Sequence, residues 1–528
     1  MKALTYARHE LRINRVFLLA WIIPLWSIPT MFIPAYESYY PNVEDRQGLI
    51  SGMQINLGMR AMYGKLYDPG TLGQLMAWEG AGWLLILSAV MAVILTFRCY
   101  RKPEASSLGE LPRATGLSRL DIALGTLLLV SAVSLILGLG ITGVLVALNA
   151  FYGEMSTKGA VAYGLAIFIS TLGSAVLAAA ASLFTRNEHT RVGLLLVGLG
   201  YMSRALADVQ GIDFFNWITP LGWFGLVRPF TDDRFWVLGI AFAATTALAA
   251  LWLYAERGRE YGMGILPVTQ RKAPKPRAIG SPWKLRRLLD RGFHLTWVIT
   301  AFAISLFMSS LSSSMDDLLK EDETTGQIFK QMFGGMNLEI AFLTYMADFL
   351  GIIMAVAAVA GVMKLRGEER DRHVDLIRAQ GTSRELPMKL QAASTVTFIV
   401  GVVLAMVAGS VLGVMLQSKH AEDVWKVAAT ANAAQVAPML VLAGLTALLI
   451  GLWPKQAWVS WLPLIYSAVV SIIAPLFQAP EWLLKTSAFG HTIYSEDTSA
   501  WPAWVAMMII GTIGLIAAWI FAGKREIA

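Results

Sequence analysis

Two short charged stretches, 265 positions apart, hold the side chains of this chain most able to do chemistry. The first contains Arg101, Glu104, Glu110, Arg113, Gly116 and Arg119; the second contains Arg366, Glu368, Glu369, Asp375, Arg378, Gly381 and Arg384. Carboxylates and guanidiniums mixed at this density offer charge-assisted hydrogen bonds to a complementary surface. They do not suggest catalysis, because no nucleophile, acid and base come together with them. The order of residue types in each copy reads as a short helix lying along a membrane. Glu104 and Glu369 stand at its start, Arg113 and Arg378 at its end, as the helix dipole favours. Gly116 and Gly381 fit the left-handed position that stops it. Ser118-x-x-Asp121 and Thr382-x-x-Glu385 then predict a capped start for the next helix. A plain connector needs none of this. The pair is read as two docking knobs for a soluble partner, against the plainer reading of a solvated loop kept by duplication.

The elements that must position these loops are transmembrane helices. The chain has 528 residues, 56% hydrophobic and 15% charged, against roughly 25% charged in soluble domains. The expected fold class is an all-α polytopic membrane protein with about 12 spans of ~20 residues. The lone Cys99 leaves no disulfide framework or cysteine-cluster metal site, and six scattered histidines show no ligand spacing. A net charge of +7 fits Lys and Arg gathered on the cytoplasmic side of a membrane better than nucleic-acid binding. Residues 2–15, with Lys2, Arg8, Arg12 and Arg15 among apolar neighbours, are expected to form an interfacial elbow helix and not a cleaved signal.

Spans are expected near 16–35, 80–97, 123–148 and 159–184, then one ending near Asp208, then 235–255. The second set is 294–314, 341–363, 391–417, 431–453, 458–476 and 503–522. This gives a first half over 1–255, a basic cytoplasmic linker over 256–292 and a second half over 293–528. The linker's end, Trp283 to Leu289, reads as a second interfacial helix, and the acidic loop 315–325 as an outer one. Residues 36–78 read as a polar loop with an amphipathic piece near 49–63. The halves match beyond the loops: Trp217 pairs with Trp482, and Arg259-Glu260 with Arg525-Glu526. Two parallel six-helix repeats with both termini cytoplasmic are expected, enclosing a central pathway.

Few charges fall within the spans. Arg204 and Asp208 are four apart on one helix face and are expected to form a structural ion pair. Asp348 either faces the substrate pathway or bonds to a neighbouring helix. Glu79 and Glu339 lie near outer span ends. A secondary transporter would need more acids or bases at mid-depth. Mostly apolar walls suit a hydrophobic small molecule and reject sugars or multiply charged ions. No GxxxxGK[ST] motif exists to hold a nucleotide. Spacings such as Gly140-x-x-Gly143 and Gly193-x-x-x-x-Gly198 read as close helix packing.

These loops resemble a known permease group, together with Arg259-Glu260-Tyr261-Gly262-Met263-Gly264-Ile265-Leu266-Pro267, Arg204-Ala205-Leu206-Ala207-Asp208, and Trp217-Ile218-Thr219-Pro220-Leu221-Gly222-Trp223. It is the ABC exporter permeases of the polyketide-antibiotic, tetronasin-resistance type, found mainly in Gram-positive bacteria. The resemblance covers nearly the whole chain. Two departures are Glu260, where the family usually has Asp, and Lys485 to His491, which lacks the proline of the first half. The resemblance implies no directly bound cofactor, and ATP and Mg held by a separately encoded ATPase, two copies of which dock on the loops. It also implies export of hydrophobic drugs across the bacterial cytoplasmic membrane. An exporter of lipid or cell-wall precursors on the same architecture would look much the same in sequence.

Overall fold

A computed structural model describes residues 2–43, 46, 50, 57–105, 114, 116–185, 189–260, 264–265, 279–312, 338–417, 421–472, 474, 479–491, 493 and 499–524. Among them there is no strand, and eleven helices are long and apolar enough to cross a membrane. The chain divides into two compact units, Met1–Ala273 and Pro274–Ala528, so the division falls inside the expected linker.

In unit 1, α1 (Lys2–Ile13) leads into α2 (Arg15–Tyr39). The stretch expected to lie at the interface is helical, and it buries Ala3, Tyr6 and Ala7. Tyr6 donates to the Cys99 carbonyl at 2.6 Å, so α1 is fastened to the unit by its inner edge. Pro24, Pro29 and Pro34 all lie inside α2, which is one continuous helix. Next come α3 (Leu57–Tyr63) and α4 (Leu72–Leu75); Thr71 and Gln74 cap α4 reciprocally. A π turn, Met76–Gly80, joins α4 to α5 (Ala81–Tyr100). The expected polar loop at 36–78 is therefore shorter than its composition implied, with helix at both ends.

The loop stretch carries α6 (Lys102–Ala105), followed by α7 (Arg119–Tyr152) and α8 (Thr157–Ala181). The predicted capping box starts α7: Asp121 N donates to Ser118 Oγ at 3.1 Å and Ser118 N to Asp121 Oδ2 at 2.9 Å. α9 (His189–Gln210), α10 (Phe214–Ile218), α11 (Trp223–Val227) and α12 (Phe235–Gly258) complete the unit. α8 is the central helix, packed on α7, α5, α12 and α9. Small residues let it in: a Cβ on Gly138 would stand 2.4 Å from the Gly164 carbonyl oxygen. Of the glycines singled out in the sequence, Gly140 lies under the Trp26 ring and Gly193 against Phe97, whereas Gly143 and Gly198 have nothing within 4 Å.

Unit 2 opens with α13 (Pro282–Ser310), started by Ser281, whose Oγ accepts from Lys284 N at 3.2 Å, and by Pro282 in the first turn. Trp283 to Leu289 is thus the first part of one 29-residue helix and not a separate interfacial piece. No breaker stands between Leu289 and the span, so helix propagation runs straight through. α14 (Leu338–Arg370), α15 (His373–Arg378), α16 (Leu386–Gln417), α17 (Ala421–Ala434) and α18 (Val436–Leu452) follow. Residues 315–325 and 271–277 lie outside the described residues.

The span expected at 458–476 is different. Residues Pro454–Ser460 form a 3-10 turn, and α19 (Trp461–Ile472) has 12 residues, about 18 Å at 1.5 Å per residue. Pro454 and Pro463 bear on where the helix starts; residues 473 and 475–478, beyond its other end, lie outside the described residues. Proline has no N–H to donate, so it belongs in a first turn and marks a fresh helix start. α20 (Glu481–Leu484) and α21 (Trp501–Lys524) end the unit. α13 packs on α16, with Ser305 Oγ donating to Met406 O and Ser309 paired to Ser410, both at 2.7 Å. α18 packs on α21 so closely that a Cβ on Gly444 would stand 2.3 Å from the Gly511 carbonyl oxygen.

That crossing predicts a contrast between two substitutions. Gly444→Ala should cost about 1–3 kcal/mol through overpacking and lower the thermal midpoint of the detergent-purified protein. Gly143→Ala, in open space, should leave the midpoint unchanged or raise it. Equal midpoints would contradict the close crossing.

Candidate functional site

The two charged stretches are fastened to their units by different sets of ions. In unit 1, α6 follows directly on α5 and places Glu104 in a one-turn helix. The Glu104 side chain is 9% exposed and accepts from Arg101 Nη1 and Arg259 Nη1, both at 3.0 Å. A second nitrogen of Arg259 also bonds Glu104. Arg259 turns its other face to Glu256, with hydrogen bonds of 2.9 and 2.7 Å, and both of these side chains are fully buried. Tyr100 donates to Glu256, and Trp252 Nε1 donates to the Tyr100 hydroxyl at 3.3 Å. Arg101 also donates to the Ser182 carbonyl at 2.7 Å. The end of α5, the end of α8 and the end of α12 are thereby joined to the loop. Burial works against the Arg259 charge, but the hydrogen bonds it donates to Glu256 and Glu104 outweigh burial and raise its pKa above the usual guanidinium range.

In unit 2 the second copy is helical at the matching positions, but as the end of the preceding span and not as a separate turn. α14 continues through Arg366 to Arg370, so Glu368 and Glu369 lie at the end of a long helix. The expectation that Glu369 starts a short helix is corrected here: nothing between Lys364 and Arg370 breaks the span's helix. Glu369 is buried, with Arg366 Nη1 3.9 Å away. Glu368 accepts from Arg286 Nη1 at 2.8 Å. Arg286 also holds Asp290, which accepts from Lys364 Nζ at 2.6 Å and Ser394 Oγ at 2.7 Å. At the 265 offset, unit 1 has Trp21, Leu25 and Cys99 in place of Arg286, Asp290 and Lys364, and unit 2 has Phe521 in place of Glu256. The loops share a sequence; their fastenings do not. Arg525, which matches Arg259, lies outside the described residues.

A shorter helix than expected occupies the end of the second copy, over His373–Arg378, with Asp375 in its first turn and Arg378 in its last. Asp375 is exposed, and Leu376 beside it is 68% exposed. Arg378 Nη2 donates to the carbonyl of Arg384, an exposed residue, at 2.9 Å. Gly381 and Gly116 have φ of +77° and +76°, the left-handed conformation expected of both. The Gly116 carbonyl accepts from Lys2 Nζ at 2.7 Å. Arg119 opens α7, half-buried. The second capping box does not form: Thr382 Oγ1 donates back to Ile377 O at 2.9 Å, and Glu385 pairs with Lys389. Glu110 and Arg113 lie outside the described residues.

The intramembrane candidates are held inside their units. Arg204 Nη1 lies 3.8 Å from Asp208 Oδ2. Asp348 accepts from Gln435 Nε2 at 2.7 Å, the neighbouring-helix arrangement of the two considered. Glu79 accepts from the Tyr36 hydroxyl, and Glu339 from Ser312 Oγ at 2.9 Å. Sequence reasoning missed Tyr100, Glu256, Arg286 and Lys364 as loop anchors. The i,i+3 pair Glu256/Arg259 and the i,i+4 pair Arg286/Asp290 were legible as helix-face pairs, but their third partners were not.

The anchor of unit 1 predicts a large effect at Arg259. Arg259→Gln leaves two buried carboxylates facing each other, a loss of about 3–5 kcal/mol, read as a collapse in yield or thermal midpoint. Arg370→Gln, in an exposed pair with Asp371, should change stability by less than about 1 kcal/mol.

Two comparisons with known proteins bear on this geometry. The family described as the C-terminal domain of the multidrug efflux system permease Rv1217c matches residues 279–522. Over 494 residues the chain is 29% identical to the multidrug efflux system permease protein Rv1217c of Mycobacterium tuberculosis, covering 92% of this chain and 87% of that protein. Along nearly all its length, then, the chain is similar to a multidrug efflux permease.

Proposed function

We propose that this chain is the permease subunit of an ATP-driven ABC exporter, of the tetronasin-resistance type, which extrudes hydrophobic antibiotics or drugs across a bacterial cytoplasmic membrane. Both termini lie in the cytoplasm, and two parallel halves each present one loop to an ATPase subunit. The observation that carries this reading is the build of the second loop. Its base is fastened inward through Glu368 and Arg286, while the short helix beyond it exposes Leu376 between Asp375 and Arg378. An exposed leucine ringed by charges is the make-up of a docking knob, with an apolar centre and a polar rim. Similarity to a multidrug efflux permease supports drug efflux, and the eleven apolar helices among the described residues support a multi-pass membrane protein.

In this scheme the chain hydrolyses nothing itself. ATP and Mg belong to the partner, and the permease converts the partner's movement into movement of its spans. A push on the first loop reaches α12 through Glu104 and Arg259; a push on the second reaches α13 through Glu368 and Arg286. Glu104 and Glu369, turned into their units, act as tethers. Asp375, Leu376 and Arg384 form the face that meets the partner. The walls of the spans, poor in charge, solvate an apolar cargo.

Native mass spectrometry of the co-purified complex should find one permease chain with two ATPase subunits. One ATPase per chain, or two permease chains per ATPase pair, overturns the scheme. Leu376→Glu should leave the thermal midpoint of the permease unchanged and abolish drug-stimulated ATP hydrolysis in the complex. Retained stimulation would reduce the loop to a connector.

A further inference from the structure

Unit 1 holds a second charged place, at the opposite end of α5 from the loop. There a recess of about 60 Å³, open to solvent on one side, is walled by Tyr63, Tyr67 and Trp78 and carries Lys65, Arg204 and Arg228 against Asp208 in its lining, with Asp232 outside it 3.1 Å from Arg228. Its backbone acceptors are already engaged. Arg204 Nη2 donates to the carbonyls of Ala61 and Met62 at 3.0 and 2.7 Å, and Trp78 Nε1 to that of Gly64 at 3.1 Å. Arg60 Nη2 donates to the Asp208 carbonyl at 2.8 Å.

Donors are in surplus. The Nε atoms of Arg204 and Arg228, both in the lining, are shut away from solvent and meet no acceptor, and Arg204 as a whole is 6% exposed. Each unmet buried donor costs about 1–3 kcal/mol, more when charged. Two like charges also crowd one ring: Lys65 Nζ lies 5.4 Å and the Arg228 guanidinium 5.3 Å from the centre of Tyr67. Asp208 lies 3.8 Å from Arg204 and also bonds Asn216. Gly64, with φ of +92°, lies beside this pair: a Cβ there would stand 3.3 Å from Asp208 Oδ2.

We propose that this recess binds a phosphate group. Three cations from three chain segments suit a tetrahedral oxyanion, whose oxygens point several ways, better than a planar carboxylate. The aromatic walls at helix ends suit the headgroup level of a bilayer, so the source is either an anionic phospholipid headgroup or free inorganic phosphate. The site is independent of ATPase docking at the other end of α5.

The test is thermal unfolding of the full-length protein in detergent, titrated with short-chain phosphatidylglycerol, short-chain phosphatidylcholine or inorganic phosphate. Phosphatidylglycerol should raise the midpoint and phosphatidylcholine should not. Arg228→Gln and Lys65→Gln should each raise the half-saturating phosphatidylglycerol concentration about tenfold; the exposed Lys65 makes the second variant safe for folding. A rise with inorganic phosphate that both variants weaken keeps the site and names the free ion as its source. No rise with either phosphate probe, an equal rise with phosphatidylcholine, or a rise undiminished in Lys65→Gln overturns the proposal.

Discussion

A buried charge needs its counter-charge close by, because the cost of leaving water is several kcal/mol per ion. Arg259 meets that demand twice, with Glu256 on its own helix and Glu104 on the charged loop. Everything at that end of unit 1 follows from the pairing. Tyr100 and Trp252 close over Glu256, and Arg101 ties the start of the loop to the end of α8. Glu104, where the loop leaves α5, is thereby held to the ends of the spans.

Unit 2 reaches the same end by other chemistry. Arg286 and Asp290 come from the first helix of the unit, not from its last, and Lys364 and Ser394 complete the set. Glu368 is 20% exposed and Lys364 36% exposed, so this network is wetter than that of unit 1 and its ion pairs are individually weaker. Two loops of like sequence are therefore held with unlike stiffness. If movement passes through them, the two units do not respond alike.

Away from the charges, packing depends on small residues. In the membrane there is no hydrophobic drive between helices, so close approach and side-chain-to-backbone bonds carry association. The Gly138–Gly164 crossing in unit 1 and the Gly444–Gly511 crossing in unit 2 bring backbones together. Ser305 and Ser309 add hydrogen bonds to the α13–α16 contact.

The sequence by itself determined what depends on neighbours along the chain. Apolar runs of about 20 residues marked eleven of the helices long enough to span. Ser118 and Asp121 announced the start of α7, and Gly116 and Gly381 announced left-handed turns. Where a local rule had a rival, it failed. Pro454 opens a 3-10 turn before the helix that starts at Trp461, inside the span expected from 458, and an unbroken helix absorbed Trp283 to Leu289. Only the tertiary structure decided which way the loop carboxylates face. Glu104 finds Arg259 across 155 residues and Glu368 finds Arg286 across 82. The partner of a buried charge is fixed by which helix ends meet in space, and no spacing along the chain records that.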